Sequence, residues 1–150
     1  MKDRPLGVTV LSVLGLGYGL TFGVRNGIRL LSLAAYGSVT GWWNPLLTLS
    51  GLLVLLDTAA AGLYLVGAVG LWLRRSWGWH VSYFLLLSTA TWGVVERAYL
   101  SSGVSVLIVL YLARPSVRES FGVSKESALG ATVVWTALTG VFWLGLNLAF

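Results

Sequence analysis

Apolar residues in this chain come in long runs, broken by isolated charges. Pro5 to Val24, Leu30 to Leu56, Ser76 to Val95 and Ser127 to Phe150 contain no Asp, Glu, Lys or Arg. Each run is about 20 residues or longer, which at about 1.5 Å per residue matches the roughly 30 Å of hydrocarbon in a bilayer. Hydrocarbon offers the backbone no hydrogen-bond partner, so such runs satisfy themselves as helices. They are too long and too unbroken for the alternating strands of a membrane barrel.

The pattern predicts one membrane domain over 1–150, with helices at about 5–33, 46–73, 79–97, 99–113 and 128–148. Met1-Lys2-Asp3-Arg4-Pro5 has the look of a signal-peptide start. The apolar run after it is too long for a cleavable leader and no A-x-A site follows, so it reads as an uncleaved first span. Pro5 suits a first helical turn, where its missing N–H costs nothing. Tyr36 to Pro45 reads as a loop carrying Trp42-Trp43, and Asn44-Pro45 as a helix start. Arg74 to Gly78 reads as a short turn. Ser101-Ser102-Gly103 reads as a tight turn that leaves the fourth helix, from about Val104, short for a span. Arg114-Pro115 stops that helix, and Ser116 to Ser127 reads as a loop with a turn or two of helix. The fold class is all-α: a transmembrane helical bundle of about five spans, or four plus a re-entrant hairpin made by the third and fourth helices.

With five spans, one side receives Lys2, Arg4, Arg74, Arg75, Arg114, Arg118 and Lys125, and the other receives Arg25, Arg29 and Arg97. The richer side is expected to be cytoplasmic, with the N-terminus inside and the C-terminus outside. Trp72, Trp77 and Trp79 then fall at the inner interface, and Trp42, Trp43 and Tyr99 at the outer one. Composition agrees: 57% of residues are hydrophobic and 10% charged, against about 25% charged in soluble domains. The net charge of +5 comes from basic residues scattered singly between apolar runs, which is no nucleic-acid face. The lack of cysteine removes disulfides, thiolate nucleophiles and Cys-ligated metal sites.

Three local patterns go together: Arg4-Pro5-Leu6-Gly7-Val8-Thr9; Gly70-Leu71-Trp72 with Trp77-Gly78-Trp79; and Arg114-Pro115-Ser116-Val117-Arg118 with Phe121-Gly122. Over Arg4 to Gly122 the chain thereby resembles small uncharacterised multi-pass membrane proteins of archaea and bacteria. The resemblance implies a membrane location and no activity, cofactor or catalytic residue.

Gly15, Gly19, Gly23 and Gly27 recur every four residues along the first helix, as in a glycine zipper. Lipid supplies no hydrophobic drive between helices, and such a face lets two backbones approach closely, within the chain or in an oligomer. Thr132, Thr136 and Gly140 form a second small-residue stripe.

Charge at depth is the other signal. Asp57 sits roughly 16 Å below the outer start of the second helix, where a carboxylate costs about 2.5–3.5 kcal/mol on insertion scales. Arg25 and Arg29 share one face of the first helix, and Glu96 and Arg97 close the third. The five form a candidate intramembrane polar cluster, as ion pairs between helices or as a polar cavity for an ion, proton or small anion.

The only His, His80, stands beside Trp79, and the only Met is Met1. Bis-His or His-rich ligation is thereby excluded, so no metal or cofactor is expected. Gly-x-Ser-x-Gly is absent, and His80 is about 25–30 Å from the Glu96 end of its helix, so no catalytic residue is expected. The chain is therefore read as a non-enzymatic multi-pass membrane protein whose partners are the lipid bilayer and a second copy or partner subunit, with a small transporter or channel-like protein built on Asp57, Arg25 and Arg29 as the alternative.

Overall fold

A computed structural model describes residues 5–40, 49–95 and 97–149. Six helices run through them: α1 (Leu6–Thr40), α2 (Leu49–Trp72), α3 (Ser76–Val95), α4 (Tyr99–Ala113), α5 (Pro115–Ser120) and α6 (Lys125–Ala149). Among the described residues there is no strand, so the fold is all-helical. Among the described residues two helices are long and apolar enough to cross a membrane, over Leu6–Ala35 and Val54–Trp72.

Several boundaries differ from the sequence pattern for local reasons. α1 continues to Thr40 rather than ending near Leu33, since nothing in Leu30–Ala35 breaks a helix. α3 begins at Ser76, because Arg74 alone takes the left-handed conformation that ends α2. Ser101, Ser102 and Gly103 are not a turn but the first turn of α4. Their small side chains let α4 press on α3: the Ser102 hydroxyl donates to the Ala90 carbonyl at 2.5 Å. α6 starts at Lys125, where the Ser124 hydroxyl accepts the Ser127 N–H at 3.1 Å as an N-cap. Trp42, Trp43 and the Asn44-Pro45 helix start lie outside the described residues.

The α2, α3 and α5 ends share one device. Arg75 N–H reaches the Gly70 carbonyl, Ala98 N–H the Gly93 carbonyl and Val123 N–H the Arg118 carbonyl. The residue before each donor has positive φ: 54° at Arg74, 59° at Arg97 and 68° at Gly122. These are Schellman closures, which satisfy the last carbonyls of a helix.

Successive helices pack as a meander, α1 on α2, α2 on α3 and α3 on α4, with α6 resting on α3. The tightest crossing is α2 on α3. A methyl group added to Gly78 would stand 2.2 Å from the Gly70 carbonyl carbon, so the two backbones touch. The largest buried cluster gathers at one end, from Val8, Leu71, Trp79, Tyr83, Val109, Leu112, Val117, Phe121 and Val123. Trp79 is not an interfacial belt residue as the sequence suggested. It is fully buried, stacks on Tyr83 at 4.5 Å and donates its indole N–H to the Leu112 carbonyl at 3.0 Å. That carbonyl ends α4, where Pro115 removes the continuing helix, so the indole supplies its partner.

Candidate functional site

The four stripe glycines divide into two pairs. A Cβ on Gly15 would meet Ala68 at 3.0 Å, and one on Gly19 would meet Leu65 at 2.8 Å, so these two form the α1–α2 contact. Among the described residues, Gly23 and Gly27 have nothing within 4 Å of that position. On α6, Thr132 turns inward and shares a hydrogen bond with Tyr83 at 3.1 Å, while Thr136 is exposed.

α1 and α2 run antiparallel, because Gly15 meets Ala68 and Gly19 meets Leu65. Continuing that register by two turns brings Arg25 and Asn26 level with Asp57 and Thr58. The α2–α3 contacts of Gly67 with Ser82 and of Tyr64 with Thr89 carry the same level to the last turn of α3, just before Arg97. Four members of the expected cluster thus share one end of the bundle, and the fifth, Glu96, lies outside the described residues. They are not joined. Asp57, Arg25, Arg29 and Arg97 are all exposed, and no ion pair links them among the described residues.

Asp57 faces an aromatic cleft instead. Asp57, Ala60, Ala61 and Tyr64 form one face of α2 and, with Tyr18 and Phe22 of α1, line a cleft of about 100 Å³. The two alanines leave the space between carboxylate and phenol. Tyr18 stacks on Phe22 at 4.2 Å and meets Tyr64 edge-on at 4.9 Å. The Tyr64 hydroxyl is bound to Thr89 of α3, which fixes the ring that closes the cleft. Spacing along the sequence does not reveal this wall, because Tyr18 and Tyr64 sit on different helices and meet only through the α1–α2 register.

Asn26 was also missed, since an amide breaks no charge-free run. It is 2% exposed and its Nδ2 has no hydrogen-bond partner, an unusual cost in a packed interior.

At the opposite end of the bundle, His80 bridges α3 and α6. Its Nε2 is 3.0 Å from the Ser127 hydroxyl, and its Nδ1 is 2.8 Å from the Ser76 carbonyl. Because the carbonyl can only accept, Nδ1 donates to it, and in the neutral ring Nε2 then accepts from Ser127. Farther along, the Trp135 indole N–H donates to the Ser88 hydroxyl at 3.0 Å. With the Tyr83–Thr132 bond these contacts make a polar ladder between two helices, beside a groove of about 390 Å³. The orienting group on His80 is a backbone carbonyl and not a carboxylate, so the pair lacks the third member that holds a catalytic imidazolium.

Outside the apolar core, Glu126 opens α6 fully exposed. Its carboxyl is held below the ordinary Glu range by a hydrogen bond from its own backbone N–H, then by one from Ser124, with the Arg118 charge adding less. Among the described residues no three His, Asp or Glu side chains gather as a metal site. Compared with protein-family models, with curated proteins and with solved structures, the chain matches none.

Proposed function

We propose that this chain is a multi-pass membrane protein of five spans, α1, α2, α3, α4 and α6, with a cytoplasmic N-terminus, and that it works without catalysis by packing with itself or with a partner subunit. One observation carries the reading. The most apolar windows of α1 and α2 are only 17% and 28% buried, whereas a water-soluble core helix hides most of its apolar residues. Val13, Leu14, Leu20, Val24, Leu56 and Val66 therefore need lipid or another chain. α6 supports the same view, since its apolar Val133, Val134, Leu138 and Val141 are 57–69% exposed and its main contact is α3. α4, at 15 residues, is about 22 Å long and requires local thinning or snorkelling ends.

The absence of cysteine makes the test clean. Single cysteines at Ser101 and Ser116, both exposed, are labelled from opposite sides by a membrane-impermeant maleimide in oriented vesicles. Light scattering in mild detergent gives the oligomeric mass. Gly27→Leu lowers that mass if the open half of the stripe receives a second copy. Labelling of both cysteines from one side rejects the five-span arrangement. A mass of one chain, with nothing co-purifying, rejects the association.

A second reading, a small transporter or channel-like protein, is favoured by Asp57. A carboxylate set in an apolar helix, facing a cleft and without an ion pair, is the usual mark of a solute path.

A further inference from the structure

The cleft at Asp57 combines two features that separately have plain explanations and together do not. Aromatic residues fill gaps between helices, and a carboxylate in an apolar helix pairs with an arginine. Here the carboxylate has no ion pair among the described residues, and with the rings of Tyr18, Phe22 and Tyr64 it lines an open space of about 100 Å³. Ring faces carry negative quadrupole density and attract cations, best those with little hydration to lose. A carboxylate beside such faces adds the full countercharge. Among the described residues a bare metal ion would find one charged oxygen ligand in the cleft lining and no second carboxylate, whereas an ammonium clothed in methyl groups matches both the apolar walls and the charge.

The arginines decide what the rest of the ligand carries. Arg25 follows Phe22 by one turn on the same face of α1, and Arg29 follows by another. Both are exposed, without an ion pair among the described residues, and Arg25 is level with Asp57 by the antiparallel register. A simple cation would meet two positive charges one and two turns beyond Phe22 along α1. A zwitterion would not, because its anionic end falls on the arginines, which bind phosphate or carboxylate through a fork of donors.

We infer that the Asp57–Tyr18–Phe22–Tyr64 cleft binds the methylated ammonium group of a zwitterion whose phosphate or carboxylate is held by Arg25 and Arg29. The site is largely preformed, since Thr89 fixes Tyr64, Tyr64 meets Tyr18, and Tyr18 stacks on Phe22. Its level suits a lipid headgroup equally with a free solute: about 20 residues of α1 from Leu6 cross the hydrocarbon and end near Arg25. The inference rests on the second reading above, and on α1 and α2 lying in a membrane, but not on self-association.

The test is titration calorimetry on the full chain in maltoside micelles, with phosphocholine and tetramethylammonium as probes. Both bind saturably, phosphocholine the tighter. Asp57→Asn weakens both at least about tenfold, as expected for loss of a countercharge at partial desolvation. Phe22→Leu weakens both about fivefold, the upper end of what a ring face gives an exposed cation, and Phe22→Tyr restores them. Ala60→Leu, which fills the space between Asp57 and Tyr64, abolishes binding. Arg25→Gln weakens phosphocholine and leaves tetramethylammonium unchanged or tighter. Unaltered circular dichroism of Phe22→Leu and Ala60→Leu keeps these results separate from misfolding.

Nanodiscs identify the source. Loss of phosphocholine binding in phosphatidylcholine discs, but not in phosphatidylglycerol discs, assigns the site to a lipid headgroup; equal binding in both assigns it to a free solute. No saturable binding of either probe, or equal binding by wild type and Asp57→Asn, overturns the inference. Flotation of the chain with vesicles separates the two failures: a chain that floats but binds nothing loses only the ligand site, and one that does not float loses the membrane reading too.

Discussion

Gly78→Ala tests the α2–α3 crossing directly. The new methyl carbon would stand 2.2 Å from the carbonyl carbon of Gly70, 2.4 Å from its Cα and 2.6 Å from the Leu71 nitrogen, where ordinary contact begins at 3.4 Å. All three obstacles are backbone atoms, so no rotamer change relieves them. The helices must part by about 1 Å, and a gap of that size forfeits a quarter to a half of each lost contact. Parting them also strains the Gly67–Ser82 approach and the Tyr64–Thr89 hydrogen bond, which lie farther along the same pair. Overpacking costs about 1–3 kcal/mol, and rigid backbone on both sides puts this case at about 3 kcal/mol. Alanine returns about 1 kcal/mol of helix propensity, leaving a net loss of about 2 kcal/mol. Gly23→Ala is the matched control: its methyl meets nothing within 4 Å among the described residues, so it keeps the propensity gain and is expected to stabilise the fold by up to about 1 kcal/mol. The measurement is reversible unfolding of the purified chain in mixed micelles, followed by circular dichroism. Equal midpoints for Gly78→Ala and wild type would refute the backbone contact, and equal shifts in the same direction for both variants would refute the division of the glycines.

Arg97→Gly removes a left-handed non-glycine residue at φ 59°; relief of about 1–2 kcal/mol, less the flexibility glycine adds to the unfolded chain, leaves a stabilisation of about 0.5–1 kcal/mol in the same assay, and a destabilised variant would point to a contact the Schellman closure does not explain. Trp79→Phe leaves the Leu112 carbonyl without its donor and a gap in the core, a loss of about 2 kcal/mol or more; an unchanged midpoint would show that the indole bond contributes nothing. Because the Glu126 carboxyl titrates below its unfolded value, its contribution is present above the unfolded value and is lost as pH falls below about 4. Stability curves of wild type and Glu126→Gln should therefore converge under acid, and added salt should narrow the small gap at neutral pH; parallel curves across pH 3–7 would contradict the shift.

Much of the helical framework is legible along the chain, because it depends on near neighbours. Runs of apolar residues with no charge have no stable backbone form in lipid except helix, and Arg114-Pro115 ends α4 where the missing N–H demands. The short helix of α5 lies inside the one polar segment for the same local reason. The turn expected at Ser101–Gly103 failed because small polar residues signal either a turn or a close helix contact, and only the presence of Gly93 on α3 decides for contact.

The sites belong to the tertiary structure. The sequence by itself determined that Asp57, Arg25 and Arg29 are isolated charges between long apolar runs and that glycines stripe α1. It did not determine that half the stripe is used, since Gly15 and Gly23 are equivalent until α2 covers one and not the other. Nor did it single out Gly70 and Gly78 as the backbone crossing, or turn Asp57 toward Tyr18 and Phe22 rather than toward an arginine. Those outcomes depend on the rotation and register of one helix against the next. That register is set by summed contacts between residues far apart in the chain, and no local spacing encodes it.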